Sequence, residues 1–115
     1  MFATLRELLR HDEDKVRRML GIFERVTRTD LESMDAAFAR GDRAEIGALA
    51  HRMKSACYQI GEETAGQTLA ALEELAMRSA GEPFARGFQE ARENLVDVLD
   101  KVEQYLASIP GDRSS

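Results

Sequence analysis

The sequence predicts an all-α protein: an antiparallel, up-down four-helix bundle with a short additional helix at its N-terminus. Three observations carry that expectation. Apolar residues recur at helical spacing through every long segment, strand signals are nearly absent, and both prolines, Pro83 and Pro110, stand at natural helix boundaries. Long amphipathic helices joined by short connections pack as antiparallel neighbours.

The first helix covers about residues 2–10, with Phe2, Leu5, Leu8 and Leu9 on one side. Asp12 then reads as an N-cap, with Asp14 in the first turn that follows. A long stripe continues through Val16, Leu20, Phe23, Val26, Leu31, Met34 and Phe38. It staggers at residues 27–30, which predicts one bent helix rather than two, because nothing there breaks a helix outright.

In "ARGDRAE", Gly41 can close that helix in the left-handed conformation and Asp42 can cap the next, with Glu45 at capping-box spacing. The third helix runs to about Ile60 and Gly61 ends it. The fourth covers about residues 63–80 on a stripe of Leu69, Leu72, Leu75 and Ala76, until "SAGEP" stops it. Pro83 suits the first turn of the fifth, which shows Phe84, Phe88, Ala91, Leu95, Val98, Leu99, Val102 and Leu106. Residues 1–109 are expected to form one domain, with the bundle at about 12–108 and a flexible tail at 110–115.

At 115 residues and 43% hydrophobic content, such a domain can bury a core without disulfides or metal. A net charge of −5 disfavours general nucleic-acid binding, which needs a basic face. The single Cys57 makes no internal disulfide and fits a reducing compartment, most simply the cytoplasm. No apolar run approaches the roughly 18 residues of a membrane span, and the charges within "MFATLRELLR" exclude a signal peptide. No membrane contact by this domain is expected.

Chemistry is concentrated in "ALAHRMKSACYQIG", which holds one of the two histidines. On a helical wheel measured from Ile46, Ala50, Met53, Cys57 and Ile60 fall within about 40°, and Leu49 about 60° away. His51 falls at about 140°, on the opposite side. It is therefore expected to face outward. Its helix neighbours are Ala44, Gly47, Ala48, Lys54, Ser55 and Tyr58. Most of these are small where exposed faces usually carry long polar side chains. Glycine inside a helix costs about 1 kcal/mol relative to alanine, so Gly47 needs a reason. A bare strip that admits another protein's backbone is one; tight packing on a neighbouring helix is the other.

Residues 43–60 carry Arg43, Arg52 and Lys54 against Glu45 alone, in an otherwise acidic chain. A positive field beside an imidazole makes an anion site, and lysine is a good point-charge partner for phosphate. An exposed imidazole, with a reference pKa of about 6.5, is largely neutral near pH 7 and nucleophilic. Covalent phosphate on His51 is thus chemically reasonable.

Competing chemistries fit less well. A di-metal bundle needs Glu-x-x-His pairs facing inward, but Ala48 stands three before His51. A haem would need an inward histidine, and Met53 lies on the wrong face. Cys57 and two histidines do not supply zinc's four ligands. No nucleophile-elbow motif is present for serine hydrolysis. His11, in "LLRHDED", reads as an exposed helix-end residue. No metal site is expected.

These residues resemble the histidine-containing phosphotransfer (HPt) domains of multistep phosphorelays. That motif is His, any residue, an apolar residue, Lys, then small residues, with Gly ten positions after the His. Here it is His51, Arg52, Met53, Lys54, Ser55, Ala56 and Gly61. The likeness extends upstream through "ARGDRAEIGALAH" and downstream to "LAALEELA", and with the helix pattern it covers about residues 12–106.

The resemblance implies a phosphorelay intermediate that takes a phosphoryl group on His51 from a receiver-domain aspartate and passes it to another receiver. Lys54 then supports the phosphate electrostatically. Ser55 stands where glycine is commonest, and Glu73 falls where relatives have Gln or Glu near the imidazole, placed to accept its Nδ1 hydrogen bond. Ala44, Gly47, Ala48, Arg52, Ser55 and Tyr58 would form the docking face. Tyr58 is larger than expected there, and would either shape partner choice or lean away.

In autokinase dimerisation domains an acidic residue commonly follows the phosphorylated histidine, whereas Arg52 follows here. With no ATP-binding domain in the chain, the expectation is a carrier and not a kinase. It would have no cofactor of its own, since the receiver brings Mg²⁺. The expected partners are receiver domains of a response regulator or hybrid sensor kinase, met by a monomer. A helical interaction or dimerisation module without phosphate chemistry is the alternative from a different class.

Overall fold

The computed structural model describes residues 2–78 and 81–108. They form α1 (Ala3–Leu8), α2 (Glu13–Ala39), α3 (Arg43–Gln59), α4 (Glu63–Arg78) and α5 (Glu82–Ala107), with no strand among the described residues. The helix boundaries follow from local chemistry. The Asp12 carboxylate accepts the Lys15 amide at 3.3 Å, and the Asp42 carboxylate accepts that of Glu45 at 3.1 Å. Each satisfies one donor that the first turn leaves unpaired.

Gly41 and Gly61 end α2 and α3 with φ of 72° and 82°. That conformation lets the following amides reach back, Asp42 to the Ala37 carbonyl at 2.8 Å and Glu62 to the Cys57 carbonyl at 2.9 Å. A side chain at either glycine would strain this closure. Pro83 lies in the first turn of α5, where its missing N–H costs nothing.

Packing closes the four long helices into a ring. α2 meets α3 and α5, α4 meets α3 and α5, and α1 rests on α2. The interior holds Leu20, Met34, Ile46, Met53, Leu69, Leu72 and Leu95, all fully buried. Each such side chain contributes roughly 1.5–3 kcal/mol on leaving water. Ile46, Leu49, Ala50, Met53, Cys57 and Ile60 line the core, which is the face of α3 the wheel selected.

Some expectations are corrected. α1 is shorter than residues 2–10, and Leu8 is 69% exposed. Phe2 precedes α1 in the left-handed conformation and turns inward instead. Its ring meets Tyr105 edge-on at 5.6 Å, and Lys101 Nζ lies 5.8 Å from its centre. α2 runs unbroken through residues 27–30. There Val26 is 48% exposed, while Thr27 and Asp30 are buried. Helical geometry explains the exchange, since Thr27, Asp30 and Met34 lie within about 40° of Phe23 and Val26 about 60° off.

Phe38 remains partly exposed although its ring stacks on Phe88 at 4.0 Å. Leu75, Ala76 and Leu106 are half-buried at the edge of the core. α4 is described to Arg78; residues 79 and 80, and the tail expected at 110–115, lie outside the described residues. No helix among the described residues is long and apolar enough to cross a membrane.

Candidate functional site

His51 stands near the middle of α3, on the side away from Met53 and Cys57, and its side chain is 64% exposed. The neighbouring helix completes its surroundings. Glu73, on α4, places Oε2 at 2.9 Å from His51 Nδ1 and Oε1 at 2.8 Å from Lys54 Nζ. One carboxylate therefore spans two residues that sit one turn apart on α3. The Lys54 hydrogen bond, and then that of His51, hold the Glu73 carboxyl below the usual carboxylate range despite partial desolvation. An ionised carboxylate only accepts hydrogen bonds. In the neutral imidazole the proton consequently sits on Nδ1, and Nε2 carries the lone pair.

Arg52, the next residue, turns the other way. Its Nε and Nη2 donate to Asp30 Oδ2 and Oδ1 at 3.2 and 2.7 Å. Hydrogen bonding and charge attraction from Asp30 raise the guanidinium pKa further. The unopposed positive field expected on α3 is thus corrected. Lys54 and Arg52 are each matched by a carboxylate on a neighbouring helix, which a reading of α3 alone does not contain.

The expected docking residues divide. Ala44, Ala48, Arg52 and Ser55 are exposed beside His51. Ser55 Oγ donates back to the His51 carbonyl at 3.5 Å. Gly47 is half-buried, and a Cβ there would lie 3.3 Å from that of Ala76, so close helix packing accounts for this glycine too. Tyr58 leans onto α4: a Cβ at Gly66 would come within 2.5 Å of its ring. Ala44, Gly47 and Ala48 also line an open depression with Ala76 and Met77, bordered by His51 and Glu73.

Asp30 is the site residue that sequence reasoning missed. Its signal was present, because Thr27 and Asp30 continue the inward spacing of Phe23 and Met34 at the stagger. A charged residue on a buried face needs a partner. Cys57 is buried, and burial pushes its thiol up to about 12, which removes it from chemistry at ordinary pH. His11 is exposed just after α1, at a φ of 60°. Among the described residues, no group of three or more His, Cys, Asp or Glu is placed to hold a metal ion.

No curated protein and no solved structure matches the chain significantly. The family model of the Hpt domain matches residues 18–108, a span that contains most of α2, the whole of α3, α4 and α5, and His51, Lys54 and Glu73 together. An exposed histidine on a helical bundle and that match agree: the chain belongs to the Hpt domain family, the histidine phosphotransfer domains of phosphorelays.

Proposed function

We propose that this chain carries a phosphoryl group on His51 Nε2 between two receiver domains. The observation that carries the reading is the exposed imidazole whose Nδ1 is engaged by Glu73 at 2.9 Å, leaving Nε2 as the nucleophile. In the accepting step, the Nε2 lone pair attacks the phosphorus of an aspartyl phosphate. The N–P bond forms as the P–O bond breaks, and the carboxylate leaves with its electron pair. The Nδ1 proton stays on the ring, where Glu73 faces it. Handover repeats the exchange in reverse, with the second receiver's aspartate as nucleophile.

Lys54 supplies positive charge near the phosphoryl, and Ala44, Gly47, Ala48, Arg52, Ser55 and Tyr58 contribute the face the receiver meets. The receiver supplies Mg²⁺ and the remaining stabilising charge. The chain acts as a monomeric cytoplasmic carrier with no kinase machinery of its own. The bundle is read as up-down and antiparallel. Cross-helix partners support this, because numbers rise on one helix as they fall on the next: Thr68 with Asn94 and Leu75 with Gly87, or Lys54 with Glu73 and Tyr58 with Gly66.

Phosphotransfer from a phosphorylated receiver tests the reading, with and without His51→Gln. Labelled wild type beside an unlabelled variant is expected. Equal labelling of both would sink the proposal. Stable self-association with His51 never labelled would instead mark a helical interaction module.

A further inference from the structure

We infer that Asp30 is a positioning residue that holds Arg52 away from the phosphoryl group on His51, leaving the phosphohistidine under-neutralised and ready to transfer. The inference rests on the phosphotransfer reading above.

Arg52 directly follows His51, and its side chain is 63% exposed. A free arginine side chain one residue away is long and flexible enough to swing toward a phosphohistidine and bind it through two parallel hydrogen bonds. In this structure the same fork is already engaged, with Nε and Nη2 on Asp30 at 3.2 and 2.7 Å. The Asp30 side chain is 10% exposed. Moving Arg52 to the phosphoryl would leave that carboxylate buried and unpaired, which is strongly unfavourable. The phosphoryl on an exposed imidazole has water as an alternative partner. The buried carboxylate therefore keeps the arginine.

Lys54, paired with Glu73 at 2.8 Å, is a compact point charge whose field reaches a phosphoryl on His51 without a two-bond grip. Glu45, on α3, adds a weaker attraction to Arg52. The two-pronged guanidinium of Arg52 is thus committed to a carboxylate before any phosphate arrives. The consequence follows from the transition state. Loss of a phosphoryl group passes through a loose arrangement in which the negative charge is spread. A guanidinium gripping two oxygens of the ground-state phosphohistidine would stabilise it more than that loose transition state, and would slow its departure. Withholding Arg52 keeps the group mobile.

The test uses full-length protein phosphorylated by phosphoramidate, followed by ³¹P NMR after the donor is removed. In the hydrolysis measured, water attacks phosphorus, the N–P electron pair returns to Nε2 as its lone pair while Nδ1 keeps its proton, and inorganic phosphate leaves with the protons of the water. Asp30→Asn should lengthen the phosphohistidine half-life about three- to tenfold, because it frees Arg52 to bind. Adding Arg52→Ala to that variant should return it to within about twofold of wild type, a rescue that mere structural damage would not give. Equal half-lives in wild type and a folded Asp30→Asn overturn the inference.

If Asp30→Asn does not fold, wild type supplies the answer through the ¹⁵N resonance of Arg52 Nε. An unchanged resonance on phosphorylation supports the inference, and a shift to a phosphate-bound signal overturns it. A His51 that neither phosphoramidate nor a phosphorylated receiver labels overturns the phosphotransfer reading itself, and this inference with it.

Discussion

The Nδ1 of His51 lies 2.9 Å from Oε2 of Glu73, and the other oxygen of that carboxylate holds Lys54. The pair sets the tautomer. Glu73→Ala should release the ring to a mixture of Nδ1–H and Nε2–H forms, read from imidazole ¹⁵N shifts. Receiver-driven phosphorylation should then fall about tenfold, the order a lost orienting group costs a reacting one. Glu73→Gln can still accept at Nδ1 and should retain most of the rate. An unaltered tautomer in Glu73→Ala would remove the carboxylate from the mechanism.

The same carboxylate gives a pH dependence of definite sign. Its pKa is lowered in the folded chain, chiefly by Lys54. A depressed carboxyl stabilises the fold above its unfolded pKa, and that contribution is lost as pH falls through the folded value. The Lys54–Glu73 contact should therefore persist at pH 5 and weaken only below the usual carboxylate range. Titration of the Glu73 carboxyl ¹³C shift measures this directly. A midpoint at or above about 4.3, the ordinary glutamate value, would contradict it.

Lys54→Ala should slow phosphotransfer by about an order of magnitude, because a positive point charge near the phosphoryl is removed. The fold should survive, since Lys54 lies outside the buried core. Circular dichroism and a receiver-to-His51 time course together decide the matter, and an unchanged rate would exclude Lys54.

Gly66 gives a stability test. An alanine Cβ there would lie 2.5 Å from the Tyr58 ring. Overpacking of this kind costs about 1–3 kcal/mol, against a helix-propensity gain of about 1 kcal/mol for replacing glycine. Gly66→Ala should thus be destabilising by urea unfolding. Combining it with Tyr58→Ala should remove the clash and recover the propensity gain. Additive losses in the double variant would place the strain elsewhere.

Cys57 should resist alkylation in the native protein at pH 8 and react readily once unfolded. Burial raises its pKa to about 12, so the thiolate is scarce at that pH. Between roughly pH 9 and 12, the unfolded thiol ionises while the folded one does not. The unfolded state then binds fewer protons, and stability falls as pH rises. Cys57→Ala should lose that alkaline slope, which pH-dependent urea unfolding will reveal.

Much of this protein was legible in one dimension. The caps at Asp12 and Asp42 and the left-handed closures at Gly41 and Gly61 depend on chemistry within a few residues, so the sequence determined them. The outward aspect of His51 needed only the helical period and the apolar stripe of α3. The fate of α1 was less legible. A short segment has little helical preference of its own, and docking against Tyr105 drew Phe2 inward and left Leu8 in water.

Tertiary structure alone decided the electrostatics around the histidine. Read along α3, Arg52 and Lys54 form a positive field. In the fold they meet Asp30 from α2 and Glu73 from α4, 22 and 19 residues away in sequence. Such partners are set by how the helices align side by side, a relationship no single helix's periodicity contains. The sequence placed the imidazole of His51 on the surface; packing chose the carboxylates that meet its Nδ1, Arg52 and Lys54.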